Sequence, residues 1–175
     1  LKVVQRLDKE TSGLIVFART DDASRHLGQQ FRFHSVHRRY LALAHGRVPE
    51  GEIRSTLLEN RGDGLRGSAR PGQRVVPGEG KEAITHVLVI EHYESASLIE
   101  CQLETGRTHQ IRIHLSELGH PLVGEKLYIR DYAGELLPAS RVMLHAAELG
   151  FTHPSSGAAM SWKLGPPVEF GLELA

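Results

Sequence analysis

The stretch Arg6-Leu7-Asp8-Lys9-Glu10-Thr11-Ser12-Gly13 sets a carboxylate among cations, hydroxyls and a glycine, directly before the apolar run Leu14-Ile15-Val16-Phe17. Gly13 permits a sharp backbone turn, and Thr11 and Ser12 can hydrogen-bond nearby backbone groups. The local expectation is a short loop between strands that presents Asp8, although eight such residues would also suit a plain tight turn with solvated charges. A second run with chemistry in it is Thr105-Gly106-Arg107-Thr108-His109-Gln110-Ile111-Arg112-Ile113-His114-Leu115. Ile111, Leu115 and Leu118 recur at i, i+4 and i+7, which predicts a helix capped by Thr108 and stopped by Gly119 and Pro121. Arg107 would then sit at a helix N-terminus, where the partial positive charge disfavours a cation by about 0.3–1 kcal/mol. An unpartnered surface arginine is one reading; an anion opposite it, a carboxylate such as Asp8 or a phosphate, is the other.

Elements must hold these two runs in place. Lys2–Gln5 and Gly13–Ala18 read as short strands flanking the Asp8 loop, the second apolar enough for a central strand. Thr20, Asp21 and Asp22 open a helix with Ala23, Leu27 and Phe31 on one face, ending near His34 or Ser35. Arg38–Ala44 alternates as a strand closed by Gly46, and another strand follows around Ile53–Leu58. Asn60–Gly80 holds six glycines, two prolines and Arg61, Arg66, Arg70 and Arg74, with no periodic pattern. Loops of that length are uncommon in a compact domain unless they are disordered or functional; this one could fold over a phosphate backbone. Ile84–Ile90 and Leu98–Glu104 read as a hairpin around Glu94-Ser95-Ala96. The fold class is therefore α+β, a mixed and mainly antiparallel sheet with two packed helices.

Composition excludes several classes. At 175 residues and 40% hydrophobic content the chain suits one soluble domain, and a formal net charge of zero rules out binding nucleic acid through bulk charge, leaving local patches. Cys101 is alone, so no internal disulfide forms, and its alternating run Ile99–Leu103 turns it inward. No stretch approaches the roughly 18 apolar residues of a membrane helix, and a cytoplasmic location is expected. Eleven histidines invite a metal, but His109 and His114 lie five apart. On a helix that separates them by about 140°, and no His-Glu-x-x-His, cysteine pair or Walker glycine loop occurs. No Gly-x-Ser-x-Gly elbow is present, and Ser12 has no base beside it in the sequence.

Arg6-Leu7-Asp8 with Thr11-Ser12-Gly13-Leu14 resembles the active-site motif of the RluA-type RNA pseudouridine synthases, in which the aspartate is catalytic. The family histidine before the arginine is replaced by Gln5. The run around Arg107, His109, Gln110 and Arg112, continued by Leu118–Gly124, resembles the family's third motif, with Glu125 where an aspartate is usual. Arg39-Tyr40-Leu41-Ala42 resembles the strand whose tyrosine packs on the target base, and Leu144-His145-Ala146, Phe151–Pro154 and Pro166-Pro167 with Phe170 resemble the closing segments.

The resemblance implies the pseudouridine synthase fold as a single catalytic domain over 1–175, with the family's N-terminal part absent, acting as a monomer without cofactor or metal. It implies isomerisation of an extruded uridine in structured RNA, ribosomal or transfer. Asp8, Tyr40 and Arg107 would be catalytic, with Arg107 paired to Asp8, and Arg6, Lys9, Thr11, His109, Gln110 and Arg112 would contact RNA. Two other readings compete: a catalytically silent RNA-binding domain of the same fold, and an acid-base glycosidase, which would need a second carboxylate such as Glu10.

Overall fold

The structure, a computed structural model, describes residues 1–69, 72–76 and 78–170. Arg70, Pro71 and Pro77 of the glycine-rich segment lie outside the described residues. One large sheet dominates, with strands in the order β10-β9-β4-β8-β7-β5-β6. These are β4 (His37–His45), β5 (Gly51–Leu58), β6 (Gly67–Ser68), β7 (Gly80–His92), β8 (Ala96–Leu103), β9 (Leu144–Thr152) and β10 (Ala159–Lys163). All neighbours on that path are antiparallel, while β2 (Ser12–Gly13) adds to β9 in parallel, so the sheet is mixed and mainly antiparallel. β1 (Lys2–Val3) and β3 (Phe17–Ala18) form a separate two-stranded ribbon.

The helices follow from local chemistry. α1 spans Asp21–Arg32, and Thr20 in extended conformation accepts a hydrogen bond from the Ala23 N–H at 3.1 Å, a regular side-chain cap reinforced by Asp21 and Asp22. α2 spans Gln110–Glu117. It lays Ile111 and Leu115 against Ala42 and Ala44 of β4, Val87 of β7 and Ile99 and Cys101 of β8, the main core cluster. Burial of each such side chain contributes about 1.5–3 kcal/mol. Cys101 is fully buried, and burial pushes its thiol up to about 12.

Several expectations need correcting. Leu14–Phe17 is no central strand: the chain leaves the sheet after Gly13, and Ile15 and Phe17 face outward along an apolar groove. The apolar run packs that surface instead of a sheet interior. Thr108 does not cap α2; His109 occupies the cap position in left-handed conformation (φ 58°) and no side-chain cap bond is made. Leu118 is exposed, whereas Ile113 and His114 are buried, so the helix buries a wider face than the i, i+4, i+7 stripe. The glycine-rich segment also has order of its own. The Asn60 carboxamide oxygen accepts from the Gly62 and Gly64 N–H groups, and Gly67–Ser68 pairs with Leu57–Leu58. Side-chain-to-backbone bonds of this kind leave no hydrophobic period to read.

Candidate active site

Backbone pairing and side-chain hydrogen bonds fix the loop that carries Asp8. The Thr11 N–H donates to the Asp8 carbonyl at 2.9 Å, closing the turn. Ser12-Gly13 pair with His145-Ala146, and the Leu14 N–H donates to the Ala146 carbonyl. Arg141 donates to the Glu10 carbonyl at 3.1 Å, while the Glu10 carboxylate accepts from the Val142 N–H. Gly13 has φ 113°, and a Cβ there would collide with the backbone of Ala146, so only glycine lets β2 approach β9 this closely. Ser12 donates to His145 Nδ1 at 2.9 Å, because the other ring nitrogen faces the Leu164 carbonyl and carries the proton. His145 thus latches the loop; nothing in the sequence linked it to Ser12, 133 positions away.

The latched loop places Asp8 in a cleft of about 410 Å³. Tyr40 and Arg38 come from β4, Gly106–His109 from the turn before α2, Gln110 from its first residue, Phe31, Arg32 and His34 from the end of α1, and Gln5, Arg6 and Thr11 from the Asp8 loop. A β-bulge between Arg39 and Tyr40 lies at this edge. Among the described residues Asp8 is the sole acidic one lining the cleft, against Arg6, Arg32, Arg38 and Arg107. The zero net charge of the chain therefore conceals a strongly positive cavity around one carboxylate. A second cavity of about 660 Å³ shares Gly106, Arg107 and Thr108 and adds Arg66, Arg74 and Lys81 together with Glu59 and Glu79.

The structure distributes the sequence-based candidates unevenly. Asp8, Tyr40 and Arg107 line one cleft, but among the described residues Arg107 makes no ion pair with Asp8. Its guanidinium donates through Nε to the Glu82 carbonyl on β7 at 2.9 Å. His109 takes the nearer place, with Nε2 3.9 Å from an Asp8 carboxylate oxygen and Nδ1 on the Tyr128 hydroxyl. Burial pushes the His109 imidazole below its ordinary value despite the pull of Asp8. Burial likewise raises the Tyr40 phenol, against the neighbouring Arg38, so it stays protonated at neutral pH. Arg6 is exposed at the mouth and has no side-chain partner among the described residues.

Two of the expected RNA contacts are spent inside the protein, and a third lies off the cleft. Gln110 is buried: its carbonyl oxygen accepts from the Thr105 hydroxyl and the Arg107 N–H, and its amide donates to the Ile84 carbonyl and the Thr85 hydroxyl. That exhausts its hydrogen-bonding capacity and makes it the brace of the 105–109 turn. Arg112 grips Glu125, whose side chain is fully buried, through two bonds of 2.7 and 2.8 Å. Burial pushes the Glu125 carboxyl up, but Arg112 and the N–H groups of Leu127 and Tyr128 outweigh it and hold it below its ordinary range. Lys9 is exposed and does not line the cleft. Among the described residues Glu52 on β5, His86 on β7 and Glu104 just after β8 are the group near enough to share an ion, and none of them lines this cleft.

Comparison with known proteins follows this geometry. A family model described as RNA pseudouridylate synthase matches residues 1–117. The ribosomal large subunit pseudouridine synthase D of Zymomonas mobilis is 40% identical over 97% of this chain and 54% of its own. That of Neisseria meningitidis is 42% identical over 94% and 45%. The dual-specificity RNA pseudouridine synthase RluA of Vibrio cholerae is 39% identical over 89% and 61%. The chain thus spans about half the length of the curated relatives it matches. Among solved structures, human RNA pseudouridylate synthase domain containing 1 superposes with a TM-score of 0.78 at 27% identity, covering 95% of this chain and 69% of that one. A family model spanning two thirds of the sequence and relatives near 40% identity together establish that this chain belongs to the RNA pseudouridylate synthase family.

Proposed function

We propose that this chain isomerises specific uridines of structured RNA to pseudouridine, with large-subunit ribosomal RNA as the first substrate to test and transfer RNA as the second. The observation that carries this reading is a lone carboxylate among the described residues, Asp8, 18% exposed, in a cleft whose other charged lining residues are the arginines Arg6, Arg32, Arg38 and Arg107 and which Tyr40 also lines. The bond from C1′ to N1 breaks, the uracil turns in its pocket, C5 joins C1′, and the isomerisation balances as the C5–H proton is lost while N1 takes one up. Asp8 starts the sequence, either on the sugar carbon or by taking a ribose proton. Tyr40 packs on the base; as a protonated phenol at rest it is a hydrogen-bond donor and no resting base. Neutral His109 borders Asp8 without cancelling its charge. Arg6, free at the mouth, braces the space that the extruded nucleotide leaves, and an unpaired uridine is the easiest to extract.

The glycosidase reading loses support at Glu10, which accepts from the Val142 N–H and pairs with Lys126 outside the cleft. The silent-binding reading does not account for an acid placed at the one point where polyanion binding would exclude it. A cytoplasmic monomer needing no cofactor completes the proposal. Among the described residues no helix is long and apolar enough to cross a membrane. The test is incubation of the purified chain with unmodified large-subunit ribosomal and transfer RNA transcripts, followed by pseudouridine mapping. One or a few discrete sites are expected; RNA bound with no site formed on either transcript would overturn the proposal.

A further inference from the structure

Among the described residues, three sealed side-chain nitrogens lack any hydrogen-bond partner: Gln5 Nε2 and Arg38 Nε and Nη2. Both residues line the Asp8 cleft. Arg38 is the more telling, since it is only 8% exposed and forms no ion pair, whereas its neighbour Arg39 on the other side of β4 is neutralised by Glu100 and Glu148. Packing holds it in place: the guanidinium lies over the Phe31 ring at 5.9 Å, and it fills the space where a side chain at position 106 would stand, so Gly106 is its seat. Buried cations are normally paired. A well-seated guanidinium without a counter-charge, at the edge of a substrate cleft, is arranged for a partner that arrives with the substrate.

We propose that Arg38 is a further substrate-contacting residue, its guanidinium receiving an anionic oxygen of the bound nucleotide in the wall of the cleft beside Tyr40. This rests on the RNA reading above. The oxygen has two possible sources, a phosphate next to the extruded uridine or the uracil ring itself. When the C1′–N1 bond breaks the electron pair leaves with the base, whose carbonyl oxygens O2 and O4 then share the negative charge. Burial lowers the Arg38 guanidinium from its ordinary value, with Arg107 adding to the fall and Tyr40 opposing it. A fork of planar donors matches either oxygen better than a lysine would.

The test compares wild type, Arg38→Gln and Arg38→Lys on an unmodified large-subunit ribosomal RNA transcript. It reads RNA affinity against salt, single-turnover pseudouridine formation at saturating RNA, and the thermal midpoint. A phosphate partner predicts a roughly 10–100-fold loss of affinity in Arg38→Gln, a salt slope shallower by about one, and an unchanged single-turnover rate. A uracil partner predicts unchanged affinity and slope with a single-turnover rate lowered about 10–100-fold. In both cases Arg38→Lys recovers only part of the loss, and it supplies the reading should the glutamine variant not fold. Variants that bind and turn over like wild type, or whose losses track their unfolded fraction, would overturn the proposal. A wild type that binds the transcript but forms no pseudouridine overturns the parent reading instead, and the salt slope still reports on Arg38.

Discussion

Glu125 shows how a single side chain can support the site without touching it. Its buried carboxylate neutralises Arg112 and accepts three backbone N–H groups at the start of the 126–128 turn, which carries the Tyr128 hydroxyl to His109. Glu125→Ala would leave the guanidinium unpaired in the interior, a cost of about 3–5 kcal/mol, read as a drop in the urea midpoint with no change in slope. Arg107 is a separate case, since it lines both cavities while its guanidinium is held through Nε by the Glu82 carbonyl. Arg107→Lys should lower turnover far more than Arg54→Lys on the outer strands; near-normal turnover would remove Arg107 from the machinery. His114 gives a pH prediction. It is buried between the Thr85 and Ser55 hydroxyls, and burial pushes it down to about 4 from 6.5. A lowered folded value means the unfolded chain binds the extra proton, so stability is complete above pH 6.5 and is lost as pH falls toward 4. Wild type should lose on the order of 3 kcal/mol more than His114→Gln across that window; parallel urea-unfolding profiles for the two would contradict it.

At the scale of elements, the Asp8 loop is positioned by what β2 does to β9. Gly13→Ala must push the two backbones apart at Ala146, so this exposed-looking turn should tolerate substitution badly. The expected result is a loss of turnover well beyond the loss of thermal stability, measured on the same preparation, because Asp8 moves with the loop. How much of this was legible depended on where each residue's environment comes from. The α1 cap, the β7–β8 hairpin and the alternation in β4 follow from local chemistry and were readable, as were the two runs around Asp8 and Arg107. Gln110 and Arg112 share a motif with residues that do face the cleft, and only the orientation of α2 turns them inward. Arg38 sits beside Arg39 in an ordinary basic pair, and nothing local distinguishes the one that is neutralised from the one that is not. The Ser12–His145 latch and the closeness of His109 to Asp8 depend on contacts across the whole chain and on one left-handed residue.

At the scale of the molecule, the balance of charge is spatial. Twenty-one basic and 21 acidic residues cancel in the sum, yet among the described residues the cleft gathers four arginines around one acid, and the adjoining cavity adds Arg66, Arg74 and Lys81 against Glu59 and Glu79. A nucleic-acid strand bridging both cavities would cross the Gly106–Thr108 rim, which Gln110 braces from beneath. The measurement that bears most directly on the whole account is made with Asp8→Asn, an isosteric change that removes only the charge, assayed for pseudouridine formation and RNA affinity side by side with wild type. The account predicts that pseudouridine formation disappears while affinity stays within a few-fold; retained turnover, or an equal collapse of turnover and binding, would contradict it.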